Sequence, residues 1–289
     1  MKLSLSTIFY TTALATLSFS AALCAQQHTM PMLKGNETVW LLTAKQQLVQ
    51  VNAQAPQTVL KQQSLKGINT GEQIVGIDYR VAYGVLFALS DQGQLYTVNT
   101  TSGQATAVGN KLPAGTLKSA QFGFDFNPAA DRIRVVNALG QNLRLHPETG
   151  ALAATDPDLA YAAVDSHAGK EPNIVAAAYT YDQQDAKVTS NYAIDIGAGN
   201  LVTQGTLAGV TPSISPNTGQ LFTVGQLGIP DLQQVSFDIS DINNIGLVAL
   251  TTDSQPSTML YQIDLASGQT HLIGQLIDGS AIVGMAIEP

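Results

Sequence analysis

The sequence predicts an all-β protein built as a single β-propeller of five blades, each with four antiparallel strands. Three observations predict this fold: one strand-and-turn phrase recurs along the chain, a second strand phrase recurs at similar intervals, and the two ends complement each other. The composition agrees, because only 12% of the residues are charged and 45% are hydrophobic, and the chain has 25 glycine residues. Such a profile is typical of β-rich globular proteins.

The first recurring phrase predicts a strand that ends in a tight turn. "LYTVNTTSG" at residues 95–103 returns as "LYQIDLASG" at residues 260–268, and three weaker copies begin at residues 48, 142 and 191. Apolar and polar residues alternate in each copy, which indicates a half-buried strand. Each copy ends its strand at a residue whose side chain can accept a hydrogen bond from the backbone N–H two residues later. Across the five copies, this aligned position is Asn52, Asn99, His146, Asp195 and Asp264, called the turn column below. Positive φ is expected at the glycines that follow; these are Gly103, Gly150, Gly199 and Gly268.

The second recurring phrase predicts the first strand of every blade. Its copies are "IVGIDYR" (74–80), "QFGFDFN" (121–127), "IVAAAYT" (174–180), "QVSFDIS" (234–240) and "IVGMAIE" (282–288). Successive copies begin 47, 53, 60 and 48 residues apart, a spacing that fits four-stranded propeller blades. A sixth blade is the alternative if "GQLFTVGQLG" (219–228) begins a new blade instead of ending one.

The two ends of the chain are expected to share one blade. The fifth copy of the second recurring phrase, "IVGMAIE", predicts a first strand with no further strands after it. Near the N-terminus, "TVWLLTA" (38–44), "QLVQVN" and "QTVLKQQ" predict the second, third and fourth strands of a blade. N-terminal strands plus the C-terminal strand would therefore close the ring, which removes the exposed edges of an open array.

The first 25 residues read as a secretory signal peptide. A short positive start precedes an apolar run that is too short to span a bilayer, and small residues permit cleavage after Ala22 or Ala25. Residues 26–37 are interpreted as a linker and 38–289 as the propeller. The protein is expected to be exported, to the periplasm or the cell exterior, without a membrane span. Cys24 is the only cysteine, so the protein cannot form an internal disulfide.

The charge balance excludes nucleic acid as a partner. The formal net charge is −8 and the sequence pI is about 4.8, so a phosphate backbone would be repelled. The expected partner is a small ligand or a protein.

The first strands of the blades contain the candidate site. These strands line the axis of a propeller, and residues two apart share a face. A column of small residues suits a crowded axis; it is Gly76, Gly123, Ala176, Ser236 and Gly284. Two residues on, the same face has Asp78, Asp125 and Asp238, and two further on it has Arg80, Asn127 and Glu288. The intervening column, expected to pack between blades, is Ile77, Phe124, Ala177, Phe237 and Met285.

Three aspartates around one axis permit three interpretations. They can bind Ca²⁺ or Mg²⁺, because both ions prefer oxygen ligands. They can instead accept backbone N–H bonds that hold the inner strands in register. They can also act as the acid and base of a glycan hydrolase. The third interpretation depends on fold analogy alone, and the only tryptophan, Trp40, lies in an apolar strand where core packing is expected.

The longest irregular stretch, residues 154–173, is a second and weaker candidate. It contains the acidic residues Asp156, Asp158, Asp165 and Glu171 together with His167. Long rim loops often bind partners, but these acids lack calcium-loop spacing and are expected to be solvated. No pair of histidines has zinc-ligand spacing, and no cofactor other than Ca²⁺ or Mg²⁺ is expected.

The chain also resembles a known family. "GIDYR", "LYTVNTTSG", "GFDFNPAADRIRVV", "NTGQLFTVGQLG" and "IVGMAIEP" are similar to the bacterial exported family catalogued as domain of unknown function 4394. The resemblance covers almost the whole chain after the signal segment and is loosest at "AYTYDQQDAKVTSNYAID" (178–195). It implies a propeller-like shape and export, and no activity or catalytic residues.

Three functions follow as hypotheses. The first is a binding or interaction module that uses the channel mouth or the rim loops. The alternatives are a carboxylate-dependent glycan hydrolase and a structural module of the envelope or matrix. The residues do not commit the protein to catalysis, and no nucleophile motif or phosphate loop is present.

Overall fold

A computed structural model describes residues 30–119, 121–185, 187–276 and 281–289. The predicted signal segment lies outside these residues. The described part of the chain contains β-strands and two short 3₁₀ turns, and no α-helix. The strands are β1 (Thr38–Thr43), β2 (Gln47–Asn52), β3 (Ala55–Ser64), β4 (Ile74–Arg80), β5 (Val85–Ser90), β6 (Leu95–Asn99), β7 (Gln104–Val108), β8 (Phe122–Asn127), β9 (Arg132–Asn137), β10 (Asn142–Leu145), β11 (Leu152–Thr155), β12 (Ala160–Tyr161), β13 (Ile174–Tyr179), β14 (Asn191–Asp195), β15 (Asn200–Gln204), β16 (Gln220–Gln226), β17 (Leu232–Ile239), β18 (Gly246–Thr252), β19 (Met259–Ile263), β20 (Thr270–Gln275) and β21 (Ile282–Ile287).

The strands form five separate sheets, which are the five predicted blades. Blade 1 has the order β21-β1-β2-β3, blade 2 β4-β5-β6-β7, blade 3 β8-β9-β10-β11, and blade 5 β17-β18-β19-β20. Blade 4 has β13-β14-β15-β16, with β12 added in parallel to the outer edge of β16. The sixth-blade alternative is wrong, because most of residues 219–228 forms β16, the fourth antiparallel strand of blade 4.

Both ends of the chain close the ring, as predicted. β1 pairs antiparallel with β21, with Trp40 opposite Ala286 and Leu41 opposite Met285. The innermost strands β4, β8, β13, β17 and β21 contact one another in sequence around the axis. A closed ring leaves no blade without neighbours on both sides, which protects the sheet edges.

The spaces between blades are filled by apolar side chains. Ile77 packs in a cluster with residues of blades 1 and 2, including Trp40, which is fully buried. Phe124 packs with the side chains of blades 2 and 3, and Met285 with those of blades 5 and 1. The intervening column therefore packs between blades, as the sequence predicts, and its burial is a main source of stability.

The small-residue column allows the inner strands to approach one another closely. A Cβ atom on Gly76 would lie 2.7 Å from the Cβ of Phe124, and one on Gly123 would lie 2.6 Å from the backbone nitrogen of Ala177. Real carbon atoms do not approach so closely. The cavity that remains beside this column is only about 20 Å³, so the axis is nearly filled here.

The turn column behaves as predicted in four of its five members. Backbone N–H groups two residues on donate to the side chains of Asn52, Asn99, His146 and Asp264. Asp195 differs, because its Oδ1 accepts from the N–H of Ala198, three residues on. The following glycines have the expected positive φ, for example 73° at Gly103.

Residues 30–37, interpreted as a linker, lie against the propeller. The side chain of Leu33 packs on the cluster between blades 5 and 1, and the carbonyl of Gly35 accepts from the side-chain amide of Asn52. Glu37 is buried, and its backbone carbonyl accepts from the N–H of Ala53. Within the described residues, no helix is long and apolar enough to cross a membrane.

Candidate functional site at the propeller axis

Asp78, Asp125 and Asp238 converge on the axis. One carboxylate oxygen from each lies within 4.8 Å of the other two. The three residues are 6%, 4% and 4% exposed. They lie on β4, β8 and β17, two residues after the small column, so the extended backbone points their side chains to the same face.

Each aspartate joins its own blade to the next. The N–H of Phe126 in blade 3 donates to Oδ2 of Asp78 in blade 2, with a nitrogen–oxygen distance of 2.7 Å. The N–H of Tyr179 in blade 4 donates to Oδ1 of Asp125 at 3.0 Å. The N–H of Ile287 in blade 1 donates to Oδ2 of Asp238 at 2.6 Å. These three contacts confirm that the aspartates accept backbone N–H bonds between neighbouring inner strands.

The same carboxylates also face the two remaining N–H groups of this layer, those of Ile239 and Tyr79. Blades 1 and 4 have Ala286 and Ala178 at the aspartate position, and an alanine cannot accept a bond from the next blade. One of the two N–H groups concerned instead bonds the aspartate of its own blade, because Ile239 donates to Oδ1 of Asp238 at 2.7 Å. The other, the N–H of Tyr79, favours the charged form of Asp78 in the same blade. Three side chains thus accept four N–H groups of this layer, and buried backbone donors require such acceptors.

The environment of the three carboxylates disfavours their charged form. Burial raises the pKa of Asp78 and of Asp125 well above the usual value, and repulsion between the carboxylates raises it further. Burial raises the pKa of Asp238 to about 8, although its backbone hydrogen bonds act in the opposite direction. Among the described residues, no Lys, Arg or His forms an ion pair with any of the three.

Asp241 is a fourth carboxylate near the axis, and the sequence analysis missed it. It follows β17, and burial raises its pKa to about 7. Its charge contributes to the raised pKa of Asp78, Asp125 and Asp238. Strand parity says nothing about a turn residue, so only its place directly after an inner strand could have indicated it.

Such a group of carboxylates has two ways to reduce its repulsion. It can retain protons, or it can bind a cation with the oxygen lone pairs that the N–H groups leave unused. The three aspartates offer oxygen ligands, which suit Ca²⁺ or Mg²⁺ better than Zn²⁺.

The other three predicted site residues do not join the aspartates. Arg80 donates from Nε and Nη2 to Asp131 at 2.8 and 2.6 Å and also pairs with Glu148, both in blade 3. Asn127 accepts the N–H of Ala130 in its own turn. Glu288 accepts from Thr38 and Gln50 in blade 1. Alternation of side chains along a strand does not decide this column, because β4 and β8 end at Arg80 and Asn127 and β21 ends just before Glu288. The side chains there bond turn residues or neighbouring strands instead of the aspartates.

The acids of the long rim loop are less solvated than expected. Asp156 is buried between Arg134 and Arg144, with oxygens 2.8 Å from each guanidinium. Asp165 accepts from the backbone N–H and the hydroxyl of Thr223. The expectation of solvated acids is therefore wrong for these two, because β16 and the arginines of β9 and β10 supply partners that the local sequence does not show.

Comparisons with known proteins give a matching family and a similar solved structure. The family model described as "Domain of unknown function (DUF4394)" matches residues 47–286. The chain is similar to the solved structure titled "Dihydro-heme d1 dehydrogenase NirN in complex with DHE", with 12% identity and a TM-score of 0.37. That match covers 86% of this chain and 46% of the other, so the chain spans less than half of it. No curated protein matches the chain.

Proposed function

The chain belongs to the family described as domain of unknown function 4394, a description that names no activity, and we propose from its geometry that the protein is an exported binding module. In this proposal Asp78, Asp125 and Asp238 hold one hard divalent cation on the axis. The cation links blades 2, 3 and 5, and the channel mouth or the rim loops serve as the binding face. The predicted signal segment supports export to the periplasm or the cell exterior.

The observation that carries the proposal is the burial of three mutually close carboxylates without a basic partner. Unpaired buried charges are among the costliest features of a protein interior. Backbone N–H groups offset part of this cost, yet the pKa of all three carboxylates remains raised. A divalent cation would offset the remainder.

Burial of the three carboxylates favours Ca²⁺ over Mg²⁺. Calcium takes about 6–8 oxygen ligands in a flexible geometry, whereas magnesium gives up its waters reluctantly and requires a near-ideal octahedron. Three oxygens that lie within 4.8 Å of one another can share one such ion. Asp241, two residues after the end of β17, would add negative charge near the three aspartates.

A glycan hydrolase is less compatible with this geometry. Its acid and base must contact the sugar on both sides of the scissile bond. Asp78, Asp125 and Asp238 are at most 6% exposed, and all three accept backbone hydrogen bonds. The geometry therefore favours a cation and not a sugar ring beside them.

Calcium titration tests the proposal. After EDTA treatment and dialysis, the purified protein is titrated with CaCl₂ and with MgCl₂ by isothermal calorimetry at about pH 8, close to the pKa of Asp238. We expect one Ca²⁺ per chain and a higher melting temperature. Asp125→Asn keeps an acceptor for the Tyr179 N–H and removes the charge, so it should weaken Ca²⁺ binding at least about tenfold.

The repeat supplies a matched control. Asp264→Asn removes one aspartate away from the axis, at a position where the equivalent residues of other blades are Asn52 and Asn99. This variant should bind Ca²⁺ as the wild type does. Absence of Ca²⁺ binding to the wild type, or equal losses in both variants, would leave the aspartates with a structural role only.

A further inference from the structure

A polar groove lies on blade 2 beside the end of the inner strand of blade 1. Its cavity has a volume of about 690 Å³. The outer part is lined by hydroxyl and amide side chains, namely Thr97, Asn99, Thr101, Ser102, Gln104 and Thr106. The inner end is formed by Tyr79 and Glu288. The groove is large enough for several sugar-sized units.

The inner end offers groups of fixed position. The carboxylate of Glu288 is held by the hydroxyl of Thr38, 2.8 Å away, and by the side-chain amide of Gln50. Side chains that are held in place lose little entropy when a ligand binds.

The polar lining is not dictated by the fold. The equivalent place on blade 5 has a cavity of about 370 Å³, where the same strand end supplies Gln262, Ile263, Asp264, Leu265 and Ala266. In blade 2 these positions are Thr97, Val98, Asn99, Thr100 and Thr101. Two copies of one strand-and-turn phrase thus build an apolar cavity in blade 5 and a hydroxyl-rich one in blade 2. The hydroxyl groups are a property of this sequence and not of the turn geometry.

The lining chemistry selects the ligand class. Hydroxyl and amide groups both donate and accept hydrogen bonds, which matches the hydroxyls of a saccharide. Glu288 would repel an anion, and no Lys, Arg or His lines the cavity among the described residues. We propose that this groove binds a neutral polyhydroxylated ligand, an oligosaccharide segment, independently of the axial cation.

The test measures binding of four neutral hexasaccharides, namely cellohexaose, maltohexaose, mannohexaose and chitohexaose, by calorimetry in EDTA and again in CaCl₂. We expect at least one to bind with a Kd below about 1 mM in both buffers. Binding in EDTA separates this proposal from the axial one, because loss of the cation site would leave it unchanged. If none of the four binds in either buffer, the proposal is overturned.

A matched pair of variants locates the binding. Ser102 and Thr149 occupy the same position of the recurring turn, and their hydroxyls accept an N–H two residues on at 3.3 and 3.4 Å. Ser102→Tyr would fill the groove and should weaken saccharide binding at least about tenfold, whereas Thr149→Tyr in blade 3 should not. Should Ser102→Tyr fail to fold, Thr106→Tyr replaces it. Unchanged binding in the groove variant, or equal loss in both, overturns the proposal.

Discussion

The carboxylate of Asp78 in blade 2 accepts the backbone N–H of Phe126 in blade 3 at 2.7 Å. Asp125 and Asp238 make the same contact with the next blades. The inner edge of a blade has no further strand to pair with, so its N–H groups need other acceptors. Three acidic side chains supply them, and the same arrangement brings the three negative charges together.

Stability without metal should fall as the pH rises. A carboxyl group whose pKa is raised in the folded state binds its proton more tightly there than in the unfolded chain. Its stabilising contribution is complete below the unfolded value near 4 and is lost as the pH rises through the folded value, about 8 for Asp238. In EDTA, the melting temperature should therefore decrease between about pH 5 and about pH 8.

Two comparisons assign this pH dependence to the axis. Asp125→Asn removes one of the interacting carboxylates, so its melting temperature should vary less over the same range. Added CaCl₂ should raise the wild-type melting temperature more at about pH 8 than at about pH 5, because protons compete with the metal. A wild-type melting temperature that is flat or rises with pH would contradict the raised pKa values.

The contribution of the Asp125 hydrogen bond to stability can be measured separately from the contribution of the Asp125 charge. Asp125→Asn and Asp125→Ala both remove the charge, but only asparagine can still accept the N–H of Tyr179. An unsatisfied buried N–H costs about 1–3 kcal/mol, so the alanine variant should be less stable than the asparagine variant by that amount in urea unfolding. Equal stabilities would show that this hydrogen bond contributes nothing.

The close approach at the axis predicts that Gly123 does not tolerate a larger side chain. A Cβ there would lie 2.6 Å from one backbone atom of blade 4 and 2.8 Å from another. Gly123→Ala should lower the free energy of unfolding by about 1–3 kcal/mol or more through overpacking. Ser236→Ala, in the same column, loses only a 3.3 Å hydrogen bond to Ile282 and should cost less. The reverse order would contradict the tight axis.

The buried ion pairs of blade 3 should be a large contributor to folding. Asp156→Ala leaves the guanidinium of Arg134, which is 1% exposed, without its anionic partner. Breaking such a pair costs about 3–5 kcal/mol. Arg144→Ala should cost less, because the Arg144 side chain is 28% exposed and Asp156 retains Arg134. Urea unfolding of both variants checks the order.

Local patterns predict the ring well and the contacts between blades poorly. Strand alternation and the turn residues at 99 and 264 depend on neighbours a few positions away, so the repeat reveals them. The rule that every second residue of a strand faces the same side also places Asp78, Asp125 and Asp238 correctly, because extended strands fix the direction of their side chains. It fails for Arg80 and Glu288, where the strands end and partners from other strands decide.

Other features of the site depend on contacts that one sequence does not show. Asp241 lies in a turn and reaches the axis only through the path of the chain after β17. The buried position of Asp156 depends on two arginines from different strands, and the groove of blade 2 depends on residues of blade 1. Each of these relationships joins residues that are distant in the repeat pattern, which local periodicity cannot register.

Anomalous diffraction from crystals soaked in a calcium solution, at about pH 8, tests the central claim most directly. We predict a peak on the propeller axis, bonded to carboxylate oxygens of Asp78, Asp125 and Asp238 at about 2.3–2.6 Å. An axis without a peak at saturating Ca²⁺, with the three carboxylates bonded only to backbone N–H groups and one another, would contradict it.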